Sequence, residues 1–178
     1  MDAMDILIKE HNYIKKVLDA VKKDCEELAE GKEVDVKLYW SVLEFVRNYA
    51  DAYHHQKEEK DLFRLLGEAD EKLKDGPVRG MLLEHDIGRF YMKMLQENLE
   101  LYENGNKQKK AYIISNALSY AVMLEEHINK EDNVLYAMAK RVLSKEVQEN
   151  LLDQFIKLED NEENRKIRQK YIEFANKF

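Results

Sequence analysis

Tyr53-His54-His55-Gln56-Lys57-Glu58-Glu59-Lys60-Asp61-Leu62-Phe63 is the stretch on which the reading of this chain turns. His54 and Glu58 are four residues apart, which on a helix sets both side chains on one face, one turn apart. An imidazole and a carboxylate so placed are good donors for iron or another transition metal. The pattern recurs at His127-Ile128-Asn129-Lys130-Glu131. His11 and His85 stand alone, and with His55 they complete the five histidines of the chain.

Working outward, the composition points to an all-α protein. Among 178 residues there are one Pro and six Gly, while good helix formers such as Leu, Lys, Glu and Ala are abundant. The length suits one domain, residues 1–178, with a bundle over about 1–141 and a C-terminal helical extension over about 144–178. The net charge of -7 argues against nucleic acid, whose phosphates call for a basic face. The most apolar stretch, residues 111–124, is too short and too polar to span a bilayer. A single cysteine forms no internal disulfide. Met1-Asp2-Ala3-Met4-Asp5 is acidic where a signal peptide would be basic. The expectation is a soluble, cytoplasmic protein that touches neither nucleic acid nor membrane.

Four long helices follow from the periodicity. Helix 1 is expected over residues 2–30, where Leu7, His11, Ile14, Leu18, Val21, Cys25 and Leu28 form a heptad seam with Cys25 as a buried thiol. Helix 2 is expected over residues 34–66, ending at Gly67, with Ala50, His54, Glu58 and Leu62 facing inward. Helix 3 should open at Pro77 and run to residue 103, with Leu82, His85 and Met92 in its stripe and Gly88 where a large apolar residue is expected. Helix 4 should cover residues 108–141 and carry Leu124, His127, Glu131 and Leu135 inward. One or two further helices follow, with the charged run 159–163 either dividing them or continuous. Short links favour an up-down-up-down four-helix bundle.

In such a bundle the start of helix 1, the end of helix 2, the start of helix 3 and the end of helix 4 share one end. At about 1.5 Å of rise per residue, His11, His54, Glu58, His85, His127 and Glu131 then lie roughly 12 to 21 Å from that end. One histidine on an apolar face is ordinarily a satisfied core residue. Six such groups at one level would be costly to bury unless a metal drew them together. A single zinc takes four ligands and leaves residues over, and hard cations want more carboxylates. Two irons, bridged by the two glutamates and capped by histidines, use the whole set. Glu10, Glu59, Glu84 and Glu126 adjoin the set but should point aside by helical phase.

Glu10-His11, His54-His55-x-Lys57-Glu58-Glu59-x-x-Leu62-Phe63, Glu84-His85-x-x-Gly88-Arg89 and His127-Ile128-x-Lys130-Glu131-Asp132-x-x-Leu135-Tyr136 together resemble the hemerythrin-like, HHE cation-binding family. The resemblance implies a non-haem di-iron centre. It implies Glu58 and Glu131 as bridges, His11 and His54 on one iron, and His85 and His127 on the other. Hemerythrins proper carry a His-x-x-x-His pair on the third helix, but here Met81 and Arg89 flank His85 at that spacing. They also close with His and Asp five apart, where this chain has His127 and Glu131 four apart. Other members of the family take a ligand from the residue after the second-helix histidine. That residue is His55, which would then serve the iron of His85 and His127.

These departures weigh against simple oxygen carriage and leave three expectations. The first is binding or sensing of O2, NO or a related small molecule, with any signalling partner a separate protein. The second is an oxidoreductase that reduces peroxide or NO with a separate redox partner, where Tyr49, Tyr53 or Tyr120 supplies electrons or protons. The third is iron storage or repair of iron–sulfur clusters, against which stands the lack of a cysteine-bearing N-terminal domain of the kind repair-type relatives often have.

Overall fold

The computed structural model describes residues 1–178, all in helices and short connections, with no strand. Helix α1, Ala3–Ala29, begins in a reciprocal cap: Asp2 accepts from the Asp5 N–H at 3.0 Å, and Asp5 accepts from the Asp2 N–H at 2.7 Å. Gly31 closes it in the left-handed region, at φ 117°, where a side chain would be strained. Helix α2 spans residues 36–69. It starts from an Asp35 cap as Val36–Phe45, widens into π turns at Val46–His55 and Glu58–Leu62, and ends as Phe63–Ala69.

Helix α3 spans residues 71–103, as Glu71–Leu73, a π turn at Lys74–Val78, and Arg79–Glu103. Helix α4 spans residues 107–142, as a 3-10 turn at Lys107–Lys109, then Lys110–Lys130, a π turn at Glu131–Leu135, and Tyr136–Val142. Helices α5, Lys145–Asp160, and α6, Glu162–Ala175, complete the chain.

Two expected boundaries move. Gly67 does not end α2; it lies inside the helix, where the Lys74 side chain packs 3.3 Å from the position a Cβ would take. Pro77 does not open α3. The Asp70 side chain caps the helix by accepting from the Lys72 N–H at 2.8 Å, and the wide turn at Lys74–Val78 carries Pro77 within it. Proline has no N–H to give the ladder and crowds the preceding turn, and a widened turn relieves both. With the helix started earlier, Met81 takes the buried place, 8% exposed, and Leu82 turns out to 37%. The charged run does divide the last two helices, because the Asn161 side chain accepts from the N–H groups of Glu163 and Asn164.

A polar layer separates the apolar core into 27 buried residues on one side, around Ile14, Leu43, Leu95 and Ala117, and 16 on the other, around Met4, Leu62, Leu135 and Phe155. The layer therefore lies nearer the end where α1 begins. Helix α4 packs along both α1 and α3, while α5 lies on α1 and α6 on both α1 and α2. The C-terminal helices thus contribute to the same core: Leu151 and Phe155 join the smaller cluster, Tyr171 and Ala175 the larger. Cys25 is buried against the Tyr39 hydroxyl at 3.6 Å, and burial pushes its thiol above the ordinary value, so it packs as a small apolar residue. Phe155 is 0% exposed. Phe155→Ala should lower the unfolding free energy by about 3–5 kcal/mol in guanidinium melts. A loss of less than about 1 kcal/mol, the scale of surface substitutions, would show that α5 only rests on the bundle.

Candidate metal centre

The polar layer is made by α1 (Glu10, His11), α2 (His54, His55, Glu58), α3 (His85) and α4 (His127, Glu131), all buried, with Glu58 and Glu131 at 0% exposure. Five histidines are each held by a carboxylate at Nδ1. His11 faces Asp132 at 2.7 Å, His54 faces Glu10 at 2.8 Å, and His55 faces Asp51 at 3.3 Å. His85 faces Glu59 at 2.7 Å and His127 faces Glu84 at 2.8 Å. A carboxylate accepts only, so each Nδ1 carries the proton and each Nε2 presents a lone pair. Every one of these carboxylates also binds a cationic side chain. Lys15 binds Asp132 at 2.8 Å, and Arg89 binds Asp51 at 2.7 Å and Glu59 at 2.6 Å. Lys57, itself 1% exposed, binds Glu10, and Lys130 binds Glu84.

The lone pairs converge. His85 Nε2 and His127 Nε2 are 3.0 Å apart, and His127 Nε2 lies 3.1 Å from Glu131 Oε1. His11 Nε2 lies 3.4 Å from Glu131 Oε2, and His54 Nε2 and His85 Nε2 lie 3.5 and 3.6 Å from Glu58 Oε2. His54 Nε2, Glu58 Oε2 and both Glu131 oxygens are buried without a hydrogen-bond partner. Acceptors that face acceptors in a dry core repel one another, and a cation between them removes the conflict. By distance they form two groups whose donor atoms lie within 4.8 Å of one another: His55, Glu58, His85 and His127, and His11, His54, Glu58 and Glu131. Neutral imidazoles with carboxylates, each ring held at its far nitrogen, are a donor set that suits a transition-metal cation. Tyr136 closes the inner shell by donating to Glu58 Oε1 at 2.5 Å.

Among the protein groups alone, the carboxylates and imidazoles compete for protons. Burial, with the Glu131 charge beside it, pushes Glu58 well above the carboxylate range. Burial opposes the Glu131 charge too, but His127 and His11 hold it well below that range. Burial lowers His54 well below the imidazole range and, with His85 beside it, takes His55 down to about 3. Burial works against protonated His11 and His127 as well, yet Asp132 and Glu131 raise the first, and Glu131 and Glu84 raise the second. Without a cation, protons are thus favoured on Glu58, His11 and His127, in places a cation would need.

All seven residues singled out in the sequence, His11, His54, His55, Glu58, His85, His127 and Glu131, meet in this layer. Of the four neighbouring glutamates, Glu10, Glu59 and Glu84 point at histidines, and only Glu126 is exposed to solvent. The sequence reading passed over Asp51, and quoted Lys57, Asp132 and Tyr136 within its motifs without giving them a role. Asp51 carries a local signal, since it stands four residues before His55. Asp132 stands in a quoted motif, but its spacing does not point to its partner His11, 121 residues away.

Helical packing and two joined sets of imidazole and carboxylate donors define a helical cation-binding domain. The chain belongs to the hemerythrin HHE cation binding domain family, whose model matches residues 2–139. No curated protein and no solved structure matches it. No helix is long and apolar enough to cross a membrane.

Because metal and proton compete for His11, His127 and Glu58, ferrous uptake in weak buffer should release protons. The apparent affinity should fall as pH drops through the range in which the raised histidines take up protons, upward of about 6.5. A pH electrode and a competing chelator measure both. Asp132→Ala, which frees the His11 ring and leaves Lys15 unpaired, should weaken uptake by about 10- to 100-fold, the usual effect of removing a partner that orients a ligand.

Proposed function

We propose that this protein holds two non-haem iron ions and uses them to bind O2, NO or a related small molecule. One ion is held by His11, His54, Glu58 and Glu131, the other by His55, His85, His127 and Glu58. The observation that carries the reading is that Glu58 belongs to both donor groups. Glu131 supports it as a second bridge, since one of its oxygens faces His11 at 3.4 Å and the other faces His127 at 3.1 Å. His55 takes the place of the histidine absent from α3, with its ring stacked on His85 at 3.8 Å between centroids. A ferrous pair supplies the electrons and coordination sites that a diatomic ligand needs. The protein supplies a dry, oriented shell in which the Tyr136 hydroxyl fixes the Glu58 carboxylate.

The same reading takes the four long helices as an up-down-up-down bundle in a single domain with the C-terminal helices. It places the protein in a reducing cytoplasm with a separate redox or signalling partner. A reductive role toward peroxide or NO is the second reading. The feature that favours it is Tyr136, a proton donor buried 2.5 Å from Glu58. Tyr49, Tyr53 and Tyr120 are also buried with unpartnered hydroxyls.

Purified protein should contain two irons per chain and give a reversible spectral change with O2 or NO without consuming reductant. One tightly bound zinc and no iron uptake would end the di-iron reading, and steady turnover of peroxide with a reductant would replace the first role by the second. Glu58→Ala and Glu131→Ala should each lose more iron than His11→Ala, because a bridge serves both ions. His55→Ala should deplete one ion preferentially. Each iron-depleted variant should also melt at lower temperature than the loaded protein while remaining helical by circular dichroism.

A further inference from the structure

The outward side of α3 is patterned as a helix seam. Between Arg79 and Glu103 the helix is regular, and its inward face is taken up by Met81, His85, Gly88, Met92 and Leu95. On the opposite side Leu83, Ile87, Phe90 and Met94 follow one another at steps of four, three and four, with Leu101 one heptad beyond. Leu83, Phe90 and Leu101 are 60%, 57% and 45% exposed. Ile87 and Met94 are half-buried and pack against neither apolar cluster of the core. Alternating steps of four and three make the stripe that one helix presents to another, and a contiguous exposed apolar strip marks an interaction site.

Charges beside the seam select what covers it. Along one flank stand Arg79, Asp86, Lys93 and Glu100, seven residues apart, alternating in sign and all exposed. Within the chain Asp86 meets Arg89 at 2.9 Å, Lys93 meets Glu97 at 3.9 Å, and Glu100 accepts from the neutral Gln96. The other flank carries Glu84, already bound by Lys130 and His127, then the uncharged Tyr91 and Asn98. Let a second copy of α3 lie antiparallel, with Ile87 facing Phe90 and Leu83 facing Met94. Each helix then sets Arg79 beside Glu100 and Asp86 beside Lys93 of the other. Glu97 falls opposite Gly80, beside which there is open space. A slip of one heptad instead brings Asp86 beside Asp86, or Lys93 beside Lys93. A parallel pairing sets Asp86 and Lys93 opposite Tyr91 and Asn98. Apolar layers and charges therefore agree on one two-fold arrangement. Its apolar run covers about 17 Å of helix, short for a permanent interface, which places association in the micromolar range.

We propose that α3 is a self-association surface on which a second copy of this chain docks antiparallel, through the Leu83–Ile87–Phe90–Met94 seam and the Arg79–Glu100 and Asp86–Lys93 pairs. The proposal does not depend on which metal the centre holds. Sedimentation velocity on the full chain, from about 1 to 200 µM, should show a monomer–dimer equilibrium. Phe90→Glu should stay monomeric throughout. Asp86→Lys and Lys93→Glu should each weaken the dimer about tenfold at low salt, and the double variant, with the signs exchanged, should recover it. Circular dichroism checks that each variant is folded, and should Phe90→Glu not fold, the charge exchange decides. Wild-type protein that is monomeric at the highest concentration would overturn the proposal and leave the face to a different partner. A dimer that survives Phe90→Glu would overturn the surface, and a double variant that fails to recover the dimer would overturn the antiparallel pairing.

Discussion

Two carboxylates with no solvent exposure, Glu58 and Glu131, sit in the middle of a helical core, and the rest of the structure answers them. Burying one such charge without compensation is prohibitive, and burying two close together is worse. Imidazoles surround them with lone pairs aimed at the same space. Carboxylates hold the imidazoles from behind, and lysines and an arginine hold those carboxylates in turn. Outward from a centre that calls for cations, carboxylates, imidazoles, carboxylates and cationic side chains follow one another. Each layer fixes the orientation of the one inside it, so little side-chain rearrangement is left for a binding event to drive.

Packing keeps water from this arrangement. The polar layer has apolar clusters above and below, and the C-terminal helices cover the side of α1 and α2 near Lys57. Phe155 lies 5.8 Å from the Lys57 ammonium, and the Tyr53 ring lies 3.9 Å from it. An ammonium among rings is tolerable because aromatic faces attract cations and Glu10 neutralises it. The helices beyond residue 142 therefore contribute to the electrostatics behind His54 as well as to core volume.

Much of the centre could be read from residue order, because a helix turns spacing into direction. His54 with Glu58 and His127 with Glu131 declare one face each, and the apolar stripes around His11 and His85 place those rings inward. What spacing could not declare was contact between distant turns: Asp132 behind His11, Tyr136 on Glu58, and the close approach of α4 to Gly88. Gly88 shows the difference well. In the stripe it is only a missing apolar residue, and its use appears once α4 brings Tyr120 and Met123 within 3.4 Å of where a Cβ would stand. The misplaced starts and stops at Gly67 and Pro77 have a similar cause, since local breakers were overruled by a capping aspartate and a widened turn.

Those widened turns have a further consequence. Three of the four π stretches contain or begin at residues of the centre: His54 and His55, Glu58, and Glu131. A π turn accommodates more residues per turn than an α turn. A wide turn takes up one extra residue, so tightening it to ordinary α geometry with every residue kept would rotate everything beyond by about 100° about the helix axis. His54 and Glu58, or His127 and Glu131, would then no longer share a direction with the apolar residues that continue each helix. The backbone of this chain is therefore under tighter constraint than its composition: α2 and α4 can exchange many side chains, but the wide turns at the centre keep each helix in phase on both sides of it.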